Sequence, residues 1–143
     1  MFVWQILQGK GKEVVTVLAG TKVADLVALL KQHRIGAVMV TDPNNIPKGV
    51  FSERDLTVGL ADYGAGVLDG EVDQLMTTDL ITCTPHDTVQ QLMEVMTKHR
   101  VRHLPVLDND EMAGIISVGD VVKSRLEELE TEASELQGYI RGQ

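Results

Sequence analysis

The sequence contains the same pattern twice, and this internal repeat constrains the fold more than any other feature. Residues 16–42 align with residues 82–108, and the identities run in order along both units. After a gap of one residue the alignment continues through two segments of the same pattern, GVFSERD at 49–55 and GIISVGD at 114–120. A repeat of this length indicates a tandem duplication in which each unit is one group of secondary-structure elements.

Each unit shows the same order of predicted elements. The β-branched runs EVVTV and LITCT are typical of strands, and apolar residues at helical spacing follow in ADLVALLKQHR and TVQQLMEVMTKHR. Two more strands follow in each unit, GAVMVT with KGVFS and RHLPVL with AGIIS, separated by the turn signals DPNN and DND. A final helix is predicted to begin at Ser52 and at Ser117. Because neither small sheet could bury both of its faces alone, we predict an α/β fold of two tandem β-α-β-β-α repeats packed as a pseudo-twofold pair.

Composition excludes several classes of protein. With 143 residues, 43 % of them hydrophobic and 24 % charged, the chain has a globular balance. A net charge of −8 disfavours nonspecific nucleic-acid binding, and 3 % aromatic residues are too few for a base-stacking platform. No apolar run approaches the roughly 18 residues that span a bilayer, and in MFVWQILQGKGK the basic residues follow the apolar ones, the reverse of a secretory signal. A single cysteine suits a reducing compartment, so we expect a cytoplasmic protein without a membrane or nucleic-acid partner.

The sequence shows no recognisable catalytic or metal-binding set. Cys83 lies in a β-run without a constellation that would mark it as a nucleophile. The four histidines show no metal-ligand spacing, and the chain has neither a Walker-type lysine loop nor a Rossmann glycine fingerprint. We therefore predict a binding protein that is not an enzyme and requires no metal or cofactor.

The element order and several motifs resemble the cystathionine β-synthase (CBS) domain, which occurs in tandem pairs. The motifs are VVTVLAGTKV and LITCTPHDTV at the unit starts, RHLPVLD before the turn, and the two G-x-x-S-x-x-D segments. The predicted divisions are a first repeat at 8–67, a second repeat at 75–131 and a C-terminal helical extension at 132–143. The resemblance implies a regulatory module that binds adenosyl ligands in clefts between the repeats: AMP as first candidate, ATP, NAD(H) or S-adenosylmethionine.

The G-x-x-S-x-x-D segments have a structural and a functional interpretation. Structurally, the serine is a helix N-cap and the aspartate completes a capping box. Functionally, a helix N-terminus suits a phosphate, and a carboxylate one turn into the helix can accept hydrogen bonds from both hydroxyls of a ribose. Within the CBS-like pattern we predict both roles.

The resemblance also implies that each cleft combines the Ser/Asp segment of one repeat with the first strand of the other. One cleft is predicted to contain Ser117, Asp120, Thr16, Val17 and Ala19. The other is predicted to contain Ser52, Asp55, Thr82 and Pro85. The apolar candidates for walls around the adenine are equally compatible with plain core positions: Ile35, Val38, Val101 and Leu104.

The two clefts are predicted to differ in charge. Arg102 and His103 precede a strand of the second repeat, where the first repeat has Gly36 and Ala37. By resemblance, basic residues at this place contact phosphate, so the cleft containing Asp120 is expected to bind charged nucleotides better. Arg54 is a second candidate for a phosphate contact, within one subunit or across a dimer.

The two ends of the chain carry further apolar patterns. FVWQILQ predicts a short helix before the first strand, and SRLEELETEASELQGYI predicts a long helix with one apolar stripe. That stripe either packs over its own sheet or forms a dimer contact, and the resemblance favours a homodimer that regulates an unknown protein. The alternative function is a structural or protein-interaction module whose clefts bind no ligand.

Overall fold

A computed structural model describes residues 1–10 and 14–142, so Glu13 of the first predicted strand and Gln143 lie outside the described residues. In repeat 1 and before it, the elements are α1 (Val3–Lys10), β1 (Thr16–Leu18), α2 (Val23–His33), β2 (Ala37–Thr41), β3 (Pro47–Ser52) and α3 (Glu53–Tyr63). Two short 3₁₀ segments follow, Ala65–Asp69 and Val72–Gln74. The remaining elements are α4 (Val89–His99), β4 (His103–Asp108), β5 (Glu111–Ser117) and α5 (Val118–Ile140). The predicted α/β fold of two repeats is confirmed.

Repeat 1 is built on a three-stranded sheet in the order β1-β2-β3. β1 runs parallel to β2, with Thr16 opposite Met39, and β2 runs antiparallel to β3, with Ala37 opposite Ser52. Every residue of β2 is buried, as expected for a central strand covered on both faces. Leu26 of α2 packs into the same core, which Phe51 of β3 completes.

Repeat 2 has a two-stranded sheet, because the predicted strand LITCT is reduced to one position. Only Cys83 of this run, all of which the structure describes, pairs with Val106 of β4 in a parallel bridge. In repeat 1 the Ala19 N–H extends the ladder by donating to β2 over 2.9 Å. The equivalent residue in repeat 2 is Pro85, and Pro105 lies within β4 itself. Since proline has no N–H to donate, the ladder cannot extend on either side of Cys83.

The hydrophobic core of each repeat includes a segment from outside its β-α-β-β-α unit. For repeat 2 this segment is the helix α1 near the start of the chain, and for repeat 1 it is the stretch 65–76 that follows α3. The short helix predicted from FVWQILQ is confirmed as α1, and its Val3 and Ile6 are buried in the core of repeat 2. The Val3 N–H donates to the Asp87 C=O over 2.9 Å, and the Val89 N–H donates to the Met1 C=O over 2.9 Å. Residues 65–76 instead cover repeat 1. The chain therefore crosses over: its first helix belongs to its second repeat.

The long helix α5 covers its sheet only at its beginning. Val121 and Ser124 are buried, whereas the apolar residues further along are exposed. These exposed positions are Leu126, Leu129, Leu136 and Ile140. Of the two alternatives for this stripe, packing over its own sheet is wrong beyond the second turn. No helix within residues 1–10 and 14–142 is both long and apolar enough to cross a membrane.

Candidate functional site

A cavity of about 880 Å³ lies between the two repeats. Repeat 1 contributes the end of β3 and the first turns of α3, and repeat 2 contributes residues 79–81 and the chain from Arg100 to Pro105. Its charged lining residues carry both signs, and Ser52 and His103 lie among them: the cations are Arg54, Arg100 and Arg102, and the carboxylates are Glu53, Asp55, Asp62 and Asp79. A concave site of this size with a few convergent polar groups is typical of small-molecule binding.

Asp55 is held at the N-terminus of α3 by a complete capping box. The Asp55 N–H donates to Ser52 Oγ over 3.3 Å, and the Ser52 N–H donates to Asp55 Oδ2 over 2.8 Å. The other carboxylate oxygen, Oδ1, accepts a hydrogen bond from Thr77 Oγ1 over 3.2 Å. The structural role predicted for both residues is confirmed. Because a carboxylate has about four lone-pair sites, Asp55 keeps acceptor capacity for a ligand hydroxyl.

Asp120 has the same cap but a different outer partner. The Asp120 N–H donates to Ser117 Oγ over 3.1 Å, and the Ser117 N–H donates to Asp120 Oδ2 over 2.9 Å. Lys10 Nζ also donates to Asp120 Oδ2, over 2.7 Å. Burial acts to raise the pKa of the Asp120 carboxyl, but the hydrogen bonds from Lys10 and Ser117 outweigh it and lower the pKa below its ordinary value.

Lys10 is not among the predicted site residues. Its only signal in the sequence is the basic run GKGK after the first apolar stretch. Lys10 reaches Asp120 only because α1 packs against repeat 2, and this is a contact between distant parts of the chain.

Arg102 and His103 line the cavity that contains Asp55, which was not predicted. His103 is also opposite Ser117 in the sheet and near the Asp120 charge, so a role of these residues beside Asp120 stays a prediction. The Arg102 C=O accepts a hydrogen bond from the Val118 N–H over 2.9 Å, which ties this backbone to its own repeat. The His103 imidazole nevertheless reaches repeat 1, because a Cβ at Gly36 would lie 3.7 Å from His103 Nε2. At the start of β4 the backbone is therefore hydrogen-bonded within repeat 2, whereas the His103 side chain faces repeat 1.

His103 lies between charged groups of both repeats. Burial lowers the pKa of its imidazole below the ordinary value, and the charge of Lys10 lowers it further. Asp120 and Glu53 act in the opposite direction without outweighing these effects. A neutral imidazole can donate and accept one hydrogen bond each, and an anion bound beside it would raise its pKa.

The predicted strand residues are placed less uniformly. Leu80 and Ile81 line the Asp55 cavity directly before Thr82, while the Pro85 C=O accepts a hydrogen bond from the Trp4 N–H over 3.0 Å. In repeat 1, Thr16 and Val17 lie in β1 and Ala19 follows that strand. Their participation in the Asp120 cleft stays a prediction, as does that of Thr82 and Pro85 in the other.

The apolar candidates divide into wall and core. Val101 lines the Asp55 cavity, whereas Val38 and Leu104 are fully buried in the cores of the two repeats. Ile35 is half-buried and packs against the core of repeat 1. Arg54 lines the cavity from its own subunit, and Arg100 is an additional lining cation.

Comparison with known proteins agrees with this architecture. The CBS domain family model matches twice, at residues 11–62 and 72–127. The chain belongs to the CBS domain family. A CBS-domain containing protein of Agrobacterium tumefaciens is 45 % identical with a TM-score of 0.84, over 87 % of this chain and 99 % of that one.

Two further relatives widen the comparison of this CBS pair. A CBS domain protein of Pyrobaculum aerophilum, solved as a complex with AMP, is 26 % identical with a TM-score of 0.79, over 92 % of this chain and 99 % of that one. The mitochondrial CBS domain-containing protein CBSX3 of Arabidopsis thaliana is 36 % identical over 124 residues, or 84 % of this chain. The chain spans 60 % of the length of that relative.

Proposed function

We propose that this CBS pair binds an adenine nucleotide or a related adenosyl ligand in the Asp55 cavity and thereby regulates a partner protein. The observation that carries the proposal is the meeting, in one cavity, of Asp55 at a helix N-terminus with Arg54, Arg102 and His103. Acceptors for hydroxyls and donors for a phosphate are the two groups that a nucleotide requires.

The cavity offers a separate place for each part of such a ligand. Asp55 Oδ1 accepts hydrogen bonds from the ribose hydroxyls in exchange for its 3.2 Å contact with Thr77. Arg102 and Arg54 provide charged donors for the phosphate, and the N-terminus of α3 adds the positive end of a helix dipole.

The adenine has a place beside residues 80–82 and Val101. Pro105 of β4 has no N–H to donate to this stretch, and the run pairs with β4 through Cys83, whereas three residues of β1 pair with β2 in repeat 1. Backbone groups that the sheet does not pair, beside an apolar wall, are suited to reading the edge of a base.

AMP is the first candidate among the adenosyl ligands. Arg54, Arg100 and Arg102 can donate charge-assisted hydrogen bonds to a phosphate, a group that S-adenosylmethionine lacks. The AMP complex of the Pyrobaculum aerophilum relative supports the same choice. ATP and NAD(H) also carry phosphate, and a direct comparison of affinities is required to rank them against AMP.

The experiment is calorimetric titration with AMP, ATP, NAD and S-adenosylmethionine. Asp55→Ala should weaken AMP binding by at least about tenfold, because charge-assisted hydrogen bonds are worth roughly 1.5–3 kcal/mol. Gln91→Ala is the matched control, since Gln91 completes the capping box of α4 as Asp55 completes that of α3, and Gln91 does not line the cavity. An unchanged AMP affinity in folded Asp55→Ala contradicts the proposal.

A second candidate function rests on the exposed apolar residues of α5. If none of the four ligands binds or raises the unfolding temperature, a structural or protein-interaction module becomes the better interpretation.

A further inference from the structure

The exposed apolar residues of α5 follow the spacing of a coiled coil. They recur at alternating intervals of four and three residues, and we call them the seam: Val122, Leu126, Leu129, Ala133, Leu136 and Ile140. A repeat of about 3.5 residues keeps two supercoiled helices in contact, and it is narrower than the face that a helix buries against a sheet. All the seam residues are exposed in the single chain.

The rest of the protein packs against the other side of this helix. Val121 and Ser124 are the buried residues of α5. Since an α-helix turns about 100° per residue, these two positions lie roughly opposite the seam. The seam is therefore free of the chain's own fold and continues along about five helical turns.

The charges beside the seam match those of a second copy in the parallel orientation. With Leu126 and Ala133 at heptad position a, Arg125 is a g residue and Glu130 is an e residue. In a parallel, in-register pair each g residue faces the e residue five positions further along the other helix, so Arg125 faces the partner's Glu130. By symmetry this opposite-charge pair forms twice. The next such pair joins Glu132 with the partner's uncharged Gln137.

The antiparallel orientation places like charges together. The register that matches all the seam residues then sets Leu126 opposite the partner's Leu136. In antiparallel coiled coils e residues face e residues and g residues face g residues. Glu130 therefore faces the partner's Glu130, and Glu132 faces the partner's Glu132. Like charges brought together across an interface oppose association.

We propose that residues 122–140 form a parallel, in-register coiled coil with the same segment of a second copy, and that Arg125 and the partner's Glu130 set this orientation. Arg125 Nη1 already donates to Glu128 of its own helix over 2.9 Å. Because a guanidinium has five N–H donors, it can bond the second carboxylate as well. The coiled coil is independent of the proposed function, because none of the seam residues lines the Asp55 cavity.

Disulfide trapping in the full chain distinguishes the two orientations. Leu126→Cys and Leu136→Cys are oxidised separately and as an equal mixture. A disulfide requires Cα atoms within about 7 Å of each other. In the parallel coiled coil each variant meets its own copy, and we expect a covalent dimer from each one alone. In the antiparallel register residue 136 lies about 15 Å along the axis from its own copy, so that only the mixture can crosslink.

Two controls accompany the trapping experiment. The wild type contains only Cys83, which is buried, and should give no covalent dimer. Thr131→Cys places a thiol on the side of α5 away from the seam and should likewise remain uncrosslinked. Crosslinking of Thr131→Cys as fast as that of Leu136→Cys would mean that the thiols meet by random collision, which overturns the proposed contact.

A charge reversal tests the orientation with the seam intact. Glu130→Lys sets a lysine opposite the partner's Arg125 at two symmetric places, and we expect the Kd of the dimer in analytical ultracentrifugation to rise about fivefold or more. In an antiparallel pair the same change only exchanges one like-charge pair for another. Glu135→Lys is the matched control, because it makes the same charge change at an exposed position of α5 away from the seam and should not weaken the dimer.

Several outcomes overturn the coiled coil. These are crosslinks that form only in the mixture, equal Kd values for Glu130→Lys and Glu135→Lys, and a monomeric wild type. If the cysteine variants fail to associate, the ultracentrifugation of Glu130→Lys decides. No measurement in this set includes a nucleotide, so a failure to bind AMP contradicts the proposed function and leaves the coiled coil untouched.

Discussion

Arg102 is the residue at which charge should discriminate between ligands in the Asp55 cavity. An arginine beside a phosphate contributes charge-assisted hydrogen bonds of roughly 1.5–3 kcal/mol. We therefore expect Arg102→Ala to weaken AMP binding by about tenfold or more and to leave adenosine binding nearly unchanged. Titration of both ligands into one variant makes adenosine the control. Equal losses for AMP and adenosine would show that Arg102 shapes the cavity and does not bind phosphate.

Cys83 should be chemically inert in the folded protein. Its thiol is buried in the hydrophobic core of repeat 2. This burial, together with the negative charge of Asp87, raises the pKa of the thiol to about 12. The reactive thiolate is therefore scarce at pH 8. We expect Ellman's reagent to react at least about a hundredfold more slowly with native protein than with protein unfolded in urea. Fast native labelling would mean that the segment around Cys83 opens readily.

At the scale of elements, α1 should contribute as much to the stability of repeat 2 as a helix within that repeat. Ile6 is buried against the core of repeat 2, and truncating a buried isoleucine typically costs about 2–4 kcal/mol. Ile6→Ala should lower the free energy of unfolding by this amount in urea denaturation. Gln8→Ala, at an exposed position of the same helix, is the control and should change it little. Equal stability of the two variants contradicts the packing of α1.

The elements show which features a sequence can predict and which it cannot. The helix starts at Ser52 and Ser117 were predictable, because a capping box is a pattern within four residues. The loss of the first strand in repeat 2 follows from two prolines, Pro85 after the run LITCT and Pro105 within β4. Predicting this loss requires knowing which N–H groups would have paired across the sheet.

The composition of the clefts was harder to predict for the same reason. Asp55 was predicted from its local motif. Which cavity Arg102 lines, however, depends on the direction in which its side chain points at the boundary between the repeats, and no local motif gives that direction. Lys10 reaches Asp120 across 110 positions of the chain, and no local pattern connects the two residues.

For the whole molecule we predict a homodimer. The outer part of α5 exposes 54 % of Leu126 and 59 % of Leu136, more than a helix normally leaves in water along one stripe. Light scattering should report twice the chain mass of 15.7 kDa. Replacing Leu126 and Leu136 together by Glu should give the single-chain mass. Thr131→Glu adds a charge on the opposite side of α5 and should leave the dimer intact; dissociation of this control, or a monomeric wild type, would refute the assignment.

The crossing of α1 to the second repeat has a consequence for the order of events during synthesis. A ribosome adds about 5–20 residues per second, so α1 emerges about 4–16 seconds before the segment around Val89 and Leu92 against which it packs. A helix of eight residues is marginal alone. Residues 14–76 can meanwhile assemble repeat 1 without α1. Helix α1 is therefore expected to fold only after the segment of repeat 2 against which it packs has been synthesised, which makes its docking a late folding step.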